Sequence, residues 1–251
     1  MIPWREKWRA FAIHFAVTLV FAAGAAAIIF GAWFPDPFDT LIGGAELFVL
    51  VVGCDLVLGP LLSLVIWDSR KGRGKLVFDY CVVGVIQIAA LVYGVWIVAG
   101  SRPVYVAFVG DRLEVVTARD IRPDELAAAR DPIYRSPPLT GPRLVAVVVP
   151  PAERTDALFQ ALDGNEEQSR PKFFVPYESQ LSTIQKHIFP LADLEKRHPE
   201  GKEKIAAARA STGLPDSQLR WMPLRYREAF WTVLVDAGTG RPLEYFDLDP
   251  Y

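Results

Sequence analysis

The stretch Leu47–Trp67, reading LFVLVVGCDLVLGPLLSLVIW, decides how the whole chain is read. It is almost wholly apolar, with one carboxylate, Asp55, near its middle and Pro60 just beyond. A helix rises about 1.5 Å per residue, so about twenty residues cross a hydrocarbon core of about 30 Å. A soluble core helix of that length would carry a polar face, and this stretch has none. It reads as a membrane span. Asp55 is its most expensive residue, because a carboxylate at mid-depth costs roughly 2.5–3.5 kcal/mol on insertion scales. It is therefore expected to face other helices or a partner rather than lipid.

Two more apolar runs flank this one, Ala10–Phe34 and Leu76–Gly100. The small residues Ala22–Ala27 resemble a signal-peptide cleavage region, but the apolar run continues through Ile28, Ile29, Phe30 and Trp33. That is longer than the core of a signal peptide, which favours an uncleaved first helix. Beyond residue 100 the composition changes. The first hundred residues hold seven Lys+Arg and seven Asp+Glu, and the remaining 151 hold 20 and 22. The fold expected is a membrane domain over 1–100, with spans at about 10–34, 47–67 and 76–100, and an α+β domain with an antiparallel sheet over 101–251. A segment of that size is long enough to bury its own core.

Charge placement sets the expected orientation. Arg5, Lys7 and Arg9 precede the first run, and Arg70, Lys71, Arg73 and Lys75 separate the second from the third. The connection 35–46 carries Asp36, Asp39 and Glu46 but no Lys or Arg. Basic residues beside spans stay in the cytoplasm. The N-terminus is thus expected inside, and the C-terminal domain outside, in the periplasm of a bacterium.

In the C-terminal part, PVYVAFVG (103–110) and RLEVVTARDI (112–121) read as a hairpin turning at Gly110-Asp111. A short helix is expected at 123–130, a proline-rich loop at 131–142, a buried strand at 143–149 and a helix at about 151–162. Residues 178–212 read as helix broken by Pro190 and Pro199. The strands 219–227, 230–236 and 241–249 follow, the last two joined by the turn Ala237-Gly238-Thr239-Gly240.

The composition excludes several chemistries. A net charge of −2 with no basic face argues against nucleic acid. The two cysteines, Cys54 and Cys81, lie inside spans and read as small buried side chains, so the C-terminal domain has neither a disulfide framework nor a cysteine metal site. His187 and His198 stand eleven residues apart without a ligand pattern and read as surface helix residues. GxSxG, Walker and HExxH motifs are all absent. The Ala237–Gly240 glycines sit between strands, as a turn does. Neither a cofactor nor a catalytic residue is expected.

The polar residues within spans are the candidate site. Measured from the cytoplasmic helix ends, Asp55 lies about 18 Å deep and Gln87 about 16 Å, so the two are matched to hydrogen-bond across helices. His14 and Asp79 are matched nearer the cytoplasmic face. Pro60 distorts its helix and exposes carbonyls. An intramembrane aspartyl protease would need Asp55 and Asp79 to share a site, yet an axial gap of about 13 Å separates them, and no GxGD signature surrounds Asp55.

Several segments together resemble the type IV pilin accessory proteins of the TfpX/TfpZ type. They are AIHF (12–15), GCDLVLGPLLSLVIW (53–67), KLVFDY (75–80), LVYGVW (91–96), SRPVYVAFVGDRLEVV (101–116) and the terminal VLVDAGTGRPLEYFDLDPY. Asp55, Gly59 and Pro60 match the second-span motif and Asp79 the one opening the third. The resemblance implies a bacterial inner-membrane protein that assists assembly of a cognate type IV pilin subunit, without catalysis. The alternative is a membrane-anchored periplasmic enzyme or sensor.

Overall fold

The computed structural model describes residues 4–67 and 71–251, in two compact units, Met1–Arg102 and Pro103–Tyr251. Asp68 and Arg70 of the basic loop lie outside the described residues.

The first unit is built on three long helices. Helix α1, Trp4–Ile28, runs into a π-helical turn at Ile29–Trp33, closed by Phe34 N–H donating to the Ile29 carbonyl at 2.8 Å. A short α2, Phe38–Ile42, leads through Gly43 into α3, Gly44–Ile66, and α4 spans Arg73–Ser101. All three long helices are long and apolar enough to cross a membrane, and side chains such as Val20, Val65 and Val85 point outward. Such an apolar exterior is what lipid requires, and the chain is a multi-pass membrane protein.

Helix α3 packs against both α1 and α4. Close approach to α4 depends on Gly94, since a Cβ there would lie 2.1 Å from Val51 Cγ1. At the other end of the bundle from the basic residues, Ile29, Phe34 and Val98 form a small core. Cys54 and Cys81 are exposed, not buried as expected. In lipid the outer faces of a bundle are as apolar as the inner ones, so an apolar neighbourhood does not reveal direction.

The second unit is an α+β fold around an eight-stranded, mostly antiparallel sheet. In chain order its elements are β1 (Pro103–Val109), β2 (Arg112–Thr117), α5 (Pro123–Ala127), β3 (Arg143–Val147), α6 (Arg154–Leu162), β4 (Phe174–Pro176), α7 (Leu181–Ile184), β5 (Phe189–Pro190), α8 (Leu191–Arg197), α9 (Lys202–Thr212), β6 (Leu219–Tyr226), β7 (Ala229–Asp236) and β8 (Pro242–Phe246). The order is β4-β3-β1-β2-β6-β7-β8, with β5 beside β6. β1 and β2 form the expected hairpin, Val109 opposite Arg112, with Gly110 at φ +62°. β2 stops at Thr117 because the Asp120 carboxylate accepts from the Thr117 N–H at 2.8 Å and its hydroxyl at 2.7 Å, which turns the chain.

Two pairings are parallel, β1 with β3 and β2 with β6. Pro190, read as a helix breaker, lies instead in β5 opposite Arg220, where its carbonyl accepts from Trp221 Nε1 at 3.0 Å. Pro223 sits inside β6 between the short pairings to β5 and β2, where a missing N–H is tolerated. One core gathers Tyr105, Ala107, Tyr134, Val145 and Phe174, and another Leu194, Ile205, Leu219, Trp221 and Leu234.

Candidate functional site

In the first unit α1 and α4 both pack on α3 and meet each other only sparsely, leaving a groove with α3 as its floor. Its volume is about 480 Å³, and its lining includes His14, Thr18, Asp55, Tyr80 and Gln87 among apolar side chains.

A polar knot ties the three helices beneath it. His14 Nδ1 lies 2.6 Å from Ser63 Oγ, and His14 Nε2 lies 2.9 Å from Gln87 Oε1. Ser63 is fully buried. Gly59, one turn before Ser63, leaves room for the knot: a Cβ there would fall 2.0 Å from Gln87 Nε2 and 3.1 Å from His14 Nε2. Interhelical bonds of this kind average about 0.6 kcal/mol and reach ~2 kcal/mol. The knot thus sets which helix faces meet more than it sets stability.

The pairings expected from depth are not the ones formed. Gln87 joins His14, not Asp55. Asp79 joins Lys71, whose Nζ lies 2.6 Å from Asp79 Oδ2, instead of facing His14. Depth follows from counting residues, but the rotation of each helix about its axis decides which groups meet. Lys71 also donates to the Ile66 carbonyl at 3.1 Å and Lys7 to the Leu64 carbonyl at 2.8 Å, two cations at the C-terminal end of the α3 dipole. Pro60 is buried within α3 and, lacking an N–H, leaves the Leu56 carbonyl without its helical donor.

Asp55 lies one turn before Gly59, on the same side of α3, and lines the groove. Among the described residues it has no hydrogen-bond or ion-pair partner. Tyr80, on the α4 wall, has a buried hydroxyl that likewise lacks one. Sequence reading missed Tyr80 and Thr18. The only signal for either was a hydroxyl inside an otherwise apolar run.

The second unit carries polar clefts around an ion-pair chain. Arg225 Nε donates to Glu114 Oε2 at 2.8 Å, Arg225 Nη2 to Glu166 Oε2 at 3.2 Å, and Arg112 lies 3.7 Å from Glu114. Glu114 is buried, and desolvation pushes its carboxyl above the usual range while Arg225 opposes the shift. A raised folded-state value means that the folded protein binds this proton more readily than the unfolded chain does. The resulting stabilisation is fully present below the ordinary glutamate value and is lost as pH rises through the folded one. Native-state hydrogen exchange of β6 and β7 amides in the full chain should show wild type gaining protection relative to Glu114→Gln on acidification from neutral pH. Parallel pH profiles would contradict the assignment.

The two histidines of the second unit, His187 and His198, carry no site. His187 packs beside Phe108, with ring centroids 6.2 Å apart, and His198 Nδ1 lies 3.0 Å from Glu200 Oε1. Both are half-buried rather than exposed helix residues. The Ala237–Gly240 segment is a turn, whose N–H groups are engaged by Asp236 Oδ1 at 3.0 Å from Gly238 and 2.6 Å from Thr239.

Residues 2–43 match the family of fimbrial assembly protein FimB. The serogroup I fimbrial assembly protein of Dichelobacter nodosus is 32% identical over 228 residues, covering 89% of this chain and 88% of that protein. The chain belongs to the fimbrial assembly protein family. Within this family the serogroup E1 protein of the same organism is 31% identical with the same coverage. The protein of serogroups C1 and C2 is 35% identical over 117 residues, 47% of this chain and 89% of its own length. Membership of the fimbrial assembly family agrees with the resemblance to type IV pilin accessory proteins seen in the sequence. No solved structure matches the chain.

Proposed function

We propose that this protein is a non-enzymatic assembly factor for type IV pili in the bacterial inner membrane, and that it holds the pilin subunit by laying the subunit's apolar helix in the groove between α1 and α4. The observation that supports this reading is Asp55, an unpartnered carboxylate opening onto a mostly apolar groove at membrane depth. An ionisable group in a span costs too much to be idle, and it calls for a donor from whatever fills the groove. The Tyr80 hydroxyl, buried without a partner on the α4 wall, suits the same occupant, and Pro60 gives α3 a local break at this level. The assembly-factor names of the relatives support the role. The basic residues at the N-terminus and between α3 and α4 support a cytoplasmic N-terminus and a periplasmic C-terminal unit. Among the described residues no group of three or more His, Cys, Asp or Glu is placed to hold a metal.

Photo-crosslinkers at Val17 and Ile88, which face the groove, test the reading in cells. The expected result is an adduct with the pilin subunit. Asp55→Asn should weaken capture roughly tenfold or more, since a hydrogen bond to a charged group contributes about 1.5–3 kcal/mol. Unchanged co-purification and piliation in Asp55→Asn would remove Asp55 from the role, and adducts with lipid alone would remove the groove.

A further inference from the structure

Helix α6 is amphipathic in the wrong sense for a surface helix. It buries a small residue, Ala157, and turns Leu158, Phe159 and Leu162 outward at 64%, 63% and 77% exposure. A surface helix normally puts its large apolar side chains against the core. Packing within the unit does not explain these three.

What lies beside them gives the partner's chemistry. Ala161, which directly precedes Leu162 on α6, lines a polar cleft shared with Gly110 and the Glu114–Arg225 pair. A second cleft adjoins it through Glu114, Glu166, Gln168 and Arg225. Together their walls hold six carboxylates, Asp111, Glu114, Asp120, Glu166, Glu167 and Glu228, against three guanidiniums. The cleft is thus net acidic where the apolar helix face ends. An anionic lipid surface is repelled by such a rim. A second copy docked about a twofold axis would bring the same carboxylates against each other.

We infer that α6 and the acidic cleft form a second docking surface, for a folded protein surface whose apolar patch is bordered by lysines and arginines. The inference rests on the reading above that the partner is a pilin, and it assigns this surface to the pilin's globular domain. The groove between spans takes the helix, and α6 takes the head. Apolar contact supplies the attraction, and the acidic rim orients the partner and speeds encounter.

The test uses the full chain in lipid nanodiscs, with the globular domain of the cognate pilin, lacking its apolar helix, as the probe. Wild type should bind it, and binding should weaken as salt is raised. Leu158→Ser combined with Leu162→Ser, and separately Glu167→Lys combined with Glu228→Lys, should each weaken binding at least tenfold. These side chains lie on the unit's surface or at the cleft wall, so both variants should retain the wild-type hydrogen-exchange pattern. If the globular domain fails to bind while the full-length pilin is still captured, this inference fails and the groove reading survives. If the globular domain binds wild type and both variants alike, the surface lies elsewhere. If wild type self-associates and the serine variant does not, the occupant is a second copy and the inference is overturned.

Discussion

Arg170→Met should destabilise the C-terminal unit by about 3–5 kcal/mol, the usual cost of stranding one member of a buried ion pair. Arg170 is 3% exposed, and its Nε donates to Glu125 Oε1 at 2.9 Å, while Nη2 lies 3.4 Å from Asp156 Oδ2. Its guanidinium also covers the Phe173 ring at 4.9 Å. Glu125 is 7% exposed, and apart from Arg170 it is held by Asn165 Nδ2 at 3.0 Å. With the guanidinium gone, a carboxylate stays in the interior with one neutral donor, and the unit must open or protonate it. The measurement is hydrogen exchange of β1 and β3 amides in the full chain. The double replacement Glu125→Leu with Arg170→Met should recover much of the loss, because it leaves no uncompensated charge. A single variant as protected as wild type would show that the pair contributes nothing to the fold.

Gly94→Leu should pull α4 away from α3, at a cost at or above the ~1–3 kcal/mol typical of an overpacked interior. The reason is which atoms stand in the way. A Cβ at Gly94 would lie 2.1 Å from Val51 Cγ1, 3.0 Å from Cγ2 and 3.2 Å from Cβ. Valine branches at Cβ and cannot swing aside. Gly59 offers an instructive contrast. There the nearest obstacle is the far end of Gln87, which can rotate away at the expense of its contact with His14. Gly59→Ala should therefore be milder in stability and harsher on the knot. Titration of detergent-solubilised protein with SDS, followed by helix–helix crosslinking between α3 and α4, distinguishes the two. Equal midpoints for Gly94→Leu and wild type would overturn the close-approach argument.

These expectations mark how far the sequence could be read. Three apolar runs of span length, a hairpin at Gly110-Asp111 and the turn after Asp236 follow from local patterns, and the structure shows all of them. Asp55 stood out because a carboxylate among twenty apolar residues has a large and calculable cost. The pairing of Gln87 with His14, and of Asp79 with Lys71, was out of reach, because a residue count gives depth but no helix rotation. Pro190 looked like a helix breaker and is a strand residue, because whether a proline ends one element or edges another depends on a partner strand some thirty residues away. The aromatic residues Trp221, Tyr226, Phe230, Trp231, Tyr245 and Phe246 of the last three strands are buried or half-buried. Three outward apolar residues are grouped on α6, where the sequence shows an ordinary short helix.

The amino-acid order alone settled that this chain has a membrane half and a water-facing half, because hydrocarbon and water each demand a composition that needs no partner to be recognised. It also settled where the costly carboxylate lies. Tertiary structure decided that α1 and α4 leave a groove over α3, that β3 and β6 flank the first hairpin in parallel, and that α6 turns its leucines outward. Each of these depends on which side of an element meets a segment distant in the chain, and local periodicity carries no record of that choice.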